Sequence, residues 1–207
     1  MIDSVGTRRL RIWLLPTVIS LVSLVFALGE TEWRELLRYD RDQLAEHQVW
    51  RWLSAHLVHL SWSHLWLNLA GLWVVWWLFS ERFSIAVGMW IVVCSIVVMD
   101  LGFWFRDTQL GWYVGLSGVL HGLFAAGALD EFWRGVRGGV WLLLGITTKL
   151  AYEQAFGALP MTAETSGGPV WVNSHLYGAI GGLLAAIAWN RRQPFTPAAG
   201  LRIFSRS

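Results

Sequence analysis

Six stretches of mostly apolar residues divide the chain. Each approaches the roughly 20 residues that a helix needs to cross the hydrocarbon of a bilayer. They run approximately over 12–28, 56–79, 83–105, 111–129, 140–159 and 170–189. The connections between them are short and polar, except for a long charged one from Glu30 to about Ala55. A segment in lipid must satisfy its own backbone hydrogen bonds, so the pattern predicts helices. The expectation is an all-α polytopic membrane protein of six transmembrane helices, with residues 1–207 as a single domain. The first stretch also has features of a signal peptide: Arg8, Arg9 and Arg11 precede it, and Ala27-Leu28-Gly29 offers small residues where a cleavage site would lie. Its apolar run is longer than the usual 7–15 residues of such a signal, which favours an uncleaved first helix.

Composition agrees with the pattern. Hydrophobic residues make up 55% of the 207 and charged residues 14%, against about 25% charged in a soluble domain. Mean hydropathy is +0.46. A disordered chain, a basic nucleic-acid-binding domain and a disulfide scaffold are all excluded. Cys94 stands alone in an apolar run. Of the 16 Trp, several sit beside the expected membrane boundaries, as interfacial aromatics do.

The net charge of +2 says less than the placement of the charges. One set of helix ends carries Arg8, Arg9, Arg11, Arg82, Arg134, Arg137, Arg191, Arg192, Arg202 and Arg206. The other carries Arg34, Arg38, Arg41, Arg51 and Arg106, the first three interleaved with Glu32, Glu35, Asp40 and Asp42. An excess of Lys and Arg marks the cytoplasmic side, so both termini are expected there. The connection from Glu30 to Ala55 then faces outward, with Trp33, Leu36 and Leu37 suited to an amphipathic element in the interface.

With this orientation the second, fourth and sixth stretches run from outside to inside, and residues near their starts share one depth. His64 and Asn68, Ser117, and His175 all fall there. Polar groups in hydrocarbon are costly unless they face a bundle interior or water, so their common depth points to one site. Glycines flank the serine in Gly115-Leu116-Ser117-Gly118, and a helix N-terminus offers free N–H groups that stabilise negative charge. A serine there can attack a carbonyl if a base takes its proton, and His175 is the natural candidate. His64 and Asn68, four apart on one helix face, can donate hydrogen bonds to a developing oxyanion. Each residue also has a plainer explanation: small residues and serines are common where membrane helices pack, and a lone histidine can be a satisfied core residue. Gly118 and Gly122, with Gly178 and Gly182, have the spacing that lets two helices approach closely. His56, His59 and His64 lack the ligand set of a metal centre, so no metal and no cofactor is expected.

Taken together, His59-Leu60-Ser61-Trp62-Ser63-His64-Leu65-Trp66-Leu67-Asn68, Gly115-Leu116-Ser117-Gly118 and His175-Leu176-Tyr177-Gly178 resemble the rhomboid intramembrane serine proteases across essentially all six stretches. The resemblance implies a six-helix rhomboid-like bundle. Ser117 would be its nucleophile and His175 its base, with His64, Asn68 and the Ser117 N–H around the oxyanion. That family uses no third carboxylate, and no candidate for one stands out at this depth. Its substrates are membrane-anchored proteins, cut near the outer boundary of the membrane.

More narrowly, Val119-Leu120-His121-Gly122, Lys149-Leu150-Ala151-Tyr152-Glu153-Gln154 and Asn173-Ser174-His175 look like a rhombosortase. This implies partners with a C-terminal Gly-Gly motif, an apolar helix and a basic tail, in addition to the lipid bilayer, and no nucleic acid. It also implies a bacterial inner membrane, with the site open to the periplasm. His121 stands where many rhomboids carry an aromatic stacked on the base; it can stack, orient His175 or compete with it. Lys149 and Glu153, four apart on the fifth stretch, suit an internal ion pair or a gate near the substrate. The segment from Pro160 to Pro169 suits a cap over the site. The alternatives are a non-catalytic rhomboid-like protein that binds transmembrane helices, a rhomboid protease with other substrates, and a small transporter lined by Asp100, Lys149 and Glu153. The absence of an inverted repeat argues against the last.

Overall fold

The computed structural model describes residues 11–190. Arg8, Arg9, Arg191, Arg192, Arg202 and Arg206 lie outside the described residues. Within them the chain forms ten helices and one two-stranded ladder. Helix α1 spans Leu14–Leu28 and α2 spans Glu30–Leu37. Strand β1 (Tyr39–Asp40) leads into α3 (Arg41–Ala45) and α4 (Arg51–Ser54). Helices α5 (Trp62–Phe79) and α6 (Ile85–Phe105) follow, then strand β2 (Trp112–Tyr113) and helix α7 (Ser117–Trp133). The chain continues with α8 (Arg137–Phe156), the short α9 (Thr162–Ser166) and α10 (Asn173–Asn190).

Local chemistry sets the helix starts. Ser61 is extended and its side chain accepts the His64 N–H at 3.1 Å, so α5 begins at Trp62 rather than near His56. Ser84 accepts the Val87 N–H in the same way at the start of α6. The fourth stretch begins as a helix at Ser117, not at Gly111. Its first residues pair with β1 instead, Tyr39 opposite Tyr113 and Asp40 opposite Trp112, antiparallel. The fifth extends back to Arg137 and stops at Gly157, whose φ of +85° ends the helix.

Helices α7 and α10 touch backbone to backbone. A Cβ on Gly178 would collide with the Gly118 backbone, and one on Gly182 with the Gly122 backbone. Around this pair, α5, α6 and the aromatic side chains Trp76, Phe79, Phe83 and Phe103 fill the core. Helix α1 lies against α5, where Trp73 Nε1 donates to Ser20 Oγ and Trp76 Nε1 to the Ile12 carbonyl. Outward faces are apolar: Trp77 is 69% exposed and Trp141 72%, which lipid tolerates and water penalises.

The layer of short elements between α1 and α5 is tied down by two arginines. Arg41 donates to the carbonyls of Phe103, Trp104, Asp107 and Leu110, where α6 ends. Arg51, buried, donates to the carbonyls of Glu35 and Arg38. Burial pushes the Tyr39 phenol, at the centre of this layer, up to about 12. Asp100, on α6, pairs with His56 at 3.2 Å.

Among the described residues, Ile85–Phe105 alone combines the length and apolarity of a span. Leu14–Leu28 and Glu30–Leu37 reach that measure only when joined, and the chain bends by 118° between them. Helix α7 is 17 residues long, and α5, α8 and α10 hold His64, Asn68, Lys149, Glu153 and His175, polar groups that lower their apolarity.

Candidate active site

Ser117 is the first residue of α7, so N–H groups in the turn it opens have no intrahelical acceptor. The loop before it is held firmly. The Gly115 N–H donates to the Ala55 carbonyl at 3.0 Å, and the Tyr113 hydroxyl donates to the Gly115 carbonyl at 2.9 Å. Gly115 has φ of +127°, and any side chain there would press on the His64 ring. Glycine is therefore required at 115 by both conformation and space.

His175 lies in the first turn of α10. That turn is anchored by Asp107, which accepts from Trp171 Nε1 at 2.6 Å, Asn173 Nδ2 at 3.0 Å and the Tyr177 hydroxyl at 3.1 Å. The anchored turn and the glycine contacts set the imidazole against α7. His175 Nε2 stands 3.0 Å from Ser117 Oγ.

The other ring nitrogen has a partner that sequence reasoning missed. His175 Nδ1 lies 2.9 Å from Glu153 Oε2, and the second oxygen of that carboxylate is 2.7 Å from Lys149 Nζ. The expectation that no carboxylate stands at this depth is therefore incorrect. Glu153 is buried on α8 and reaches across to α10. A carboxylate can only accept when ionised, so Nδ1 carries the hydrogen and the Nε2 lone pair faces the serine hydroxyl. The Lys149–Glu153 spacing was the available signal; the rotation of α8 that aims the pair at His175 was not readable.

His121 lies on the far side of the same imidazole. Its Nδ1 donates to the Ser117 carbonyl at 2.7 Å, and its ring stacks on His175 with centroids 4.1 Å apart and planes 16° from parallel. His121, Glu153 and His175 place one donor atom each within 4.8 Å of one another. Parallel rings point their lone pairs side by side rather than at a common centre, and both Nδ1 atoms are engaged in hydrogen bonds. The group is a hydrogen-bonded stack rather than a chelating site.

A cavity of about 420 Å³ opens over the serine, and Ser117, His175, His64, Asn68, Lys149 and Glu153 all contribute to its wall. His64 Nδ1 accepts the Leu60 N–H at 3.4 Å, which leaves the hydrogen on Nε2, on the edge of the ring that faces Gly115. Asn68 Nδ2 donates once to the His64 carbonyl at 2.9 Å and retains a second N–H. His59 stays outside the cavity wall; it is buried edge-on to His64 with centroids 5.0 Å apart. Helix α9 lies within the segment from Pro160 to Pro169. Ser61 Oγ and Ser63 Oγ donate to the carbonyls of Ser166 and Thr165, so α9 rests on the start of α5 beside the cavity.

A family model for the Rhomboid domain matches residues 46–192, a stretch that holds every side chain of this site. The chain belongs to the rhomboid family. Rhomboids are intramembrane serine proteases that act on membrane-protein substrates within the bilayer, and this rhomboid is accordingly an integral membrane protein. A comparison with curated proteins gives no match.

Proposed function

We propose that this rhomboid is a serine endopeptidase in which Ser117 is the nucleophile and His175 the general base. The observation that carries the reading is the 3.0 Å contact between His175 Nε2 and Ser117 Oγ at the floor of an accessible cavity. Ser117 Oγ attacks the scissile carbonyl while its proton moves to Nε2. The oxyanion forms against His64, Asn68 and the Ser117 N–H, donors already in place where the negative charge develops. The proton then passes from Nε2 to the leaving amine. Water entering through the cavity resolves the acyl-enzyme by the same steps in reverse order.

The arrangement in the membrane belongs to the same proposal. Residues 1–207 form one membrane domain with six spans, both termini on the cytoplasmic side of a bacterial inner membrane and the cavity open to the periplasm. The basic ends at Arg82, Arg134 and Arg137 support that orientation. The proposed substrates are proteins anchored by a C-terminal transmembrane tail that follows a Gly-Gly motif, as for a rhombosortase. Glycine favours the local unwinding that exposes a bond for attack.

The test is labelling of detergent-solubilised protein with a fluorophosphonate probe. Wild type is expected to label and Ser117→Ala to remain unlabelled; labelling that persists in Ser117→Ala removes the nucleophile assignment. A paired cleavage assay compares a Gly-Gly-tailed substrate with a generic rhomboid substrate. Equal processing of the two removes the narrower substrate reading, and mass spectrometry of the new C-terminus identifies the bond.

A further inference from the structure

The Glu153 carboxylate bridges two partners. One oxygen holds Lys149 on its own helix, and the other meets the proposed base on α10. An ion pair that served only to hide two charges would need no third member. Here the second oxygen is directed at His175 Nδ1, on the side of the ring opposite Ser117, and the group is buried where an idle carboxylate is costly. With both oxygens occupied by different partners, the carboxylate cannot rotate without breaking one contact.

We propose that Glu153 is a positioning residue of the catalytic machinery, holding His175 in the Nδ1-protonated tautomer and sharing the positive charge that appears when Nε2 takes the Ser117 proton. The assembly then works as a Ser–His–Glu relay, with Lys149 fixing the carboxylate. This rests on the assignment of Ser117 and His175 above. During attack the Ser117 Oγ–H bond breaks, its proton goes to Nε2, and Nδ1–H stays hydrogen-bonded to Glu153; no proton needs to reach the carboxylate. Lys149 has its own part. It keeps one oxygen on its side, so in Glu153→Gln the amide oxygen stays with the ammonium and the amide N–H faces Nδ1. That favours the wrong tautomer, with hydrogen on Nε2 where the serine needs an acceptor.

The experiment is fluorophosphonate labelling of the full chain in detergent, resolved into binding constant, labelling rate constant and final amplitude. The reaction is balanced within the site: an O–P bond forms at Ser117, P–F breaks, fluoride leaves, and the proton rests on His175. Amplitude reports the fraction of folded, competent protein, whereas the rate constant reports the chemistry. Glu153→Gln is expected to lower the rate constant by up to about 10⁴-fold, the loss seen when the orienting carboxylate of a serine-protease triad becomes its amide, with probe binding unchanged. Glu153→Asp, which keeps the charge on a shorter stem, is expected to recover at least about tenfold of that loss. The proposal is overturned if Glu153→Gln labels within about threefold of wild type. It is equally overturned if Glu153→Gln and Glu153→Asp both lose amplitude alone, since that marks a structural role. A rate loss in Glu153→Gln that Glu153→Asp does not recover also overturns it. Wild type that fails to label removes the nucleophile assignment as well, whereas a silent Ser117→Ala beside an unimpaired Glu153→Gln removes only the relay.

Discussion

At the scale of single residues, the site depends on hydrogen positions that its neighbours dictate. His64 is a donor toward Gly115 because its other nitrogen takes the Leu60 N–H. Truncating it to alanine is expected to cut kcat by about 10²–10³-fold with little change in KM, the usual cost of one oxyanion donor; steady-state cleavage kinetics check this. Tyr39 carries a different prediction. Its hydroxyl is buried and, among the described residues, has no hydrogen-bond partner. Its raised pKa favours the neutral phenol in the folded state. The stability it supports is therefore intact below about 10 and is lost as pH climbs toward about 12. Tyr39→Phe is expected to leave melting at pH 8 unchanged or slightly raised and to reduce the alkaline loss, read from melting temperatures against pH. Ser117, His64, Asn68 and His175 stood out in the sequence because polar groups are conspicuous in apolar runs. Glu153 was legible only as the partner of Lys149, since a spacing of four residues reveals neighbours on one helix and nothing of the next.

At the scale of elements, the contact between α7 and α10 governs the geometry. Gly178→Ala drives a methyl group into the Gly118 backbone and is expected to abolish probe labelling. Gly145→Ala, on α8 with open space around it, is expected to be neutral or to stabilise by up to about 1 kcal/mol through helix propensity. Comparing melting and labelling of the two separates packing from propensity. Asp107→Ala removes three hydrogen bonds from the start of α10. A loss of about 3 kcal/mol is expected, with labelling falling as the turn loosens, measured by thermal unfolding in detergent. Among the described residues each apolar stretch overlaps a long helix, but the second and fourth of these helices begin later than the pattern suggests and the fifth earlier. Leu57, Val58, Val114 and Leu116 are apolar because they pack in loops inside the protein, and hydropathy cannot distinguish that from facing lipid. The caps at Ser61 and Ser84 were readable residues whose role appears only with the hydrogen bond each accepts.

At the scale of the whole molecule, charge distribution is the legible feature and helix rotation the hidden one. The arginine-rich ends predict that a cysteine at Ser80, between α5 and α6, reacts with impermeant maleimide only from the cytoplasmic side, and that one at Gln48 reacts only from the other. Cell-based labelling, with a Cys94→Ala background, checks both. The reverse pattern would invert the proposed orientation. Which helix faces meet in the interior was not readable from composition, because the outward faces are as apolar as the core: Trp77 and Trp141 outside differ little in kind from Trp76 inside.

The glycine-to-glycine contact of α7 and α10 has one more consequence. The proposed nucleophile and base ride on two helices in direct backbone contact, so a bilayer that grows thicker or thinner must tilt them as a unit. Lipid composition should then tune how readily an anchored polypeptide arrives, leaving the bond-breaking step itself indifferent to its surroundings.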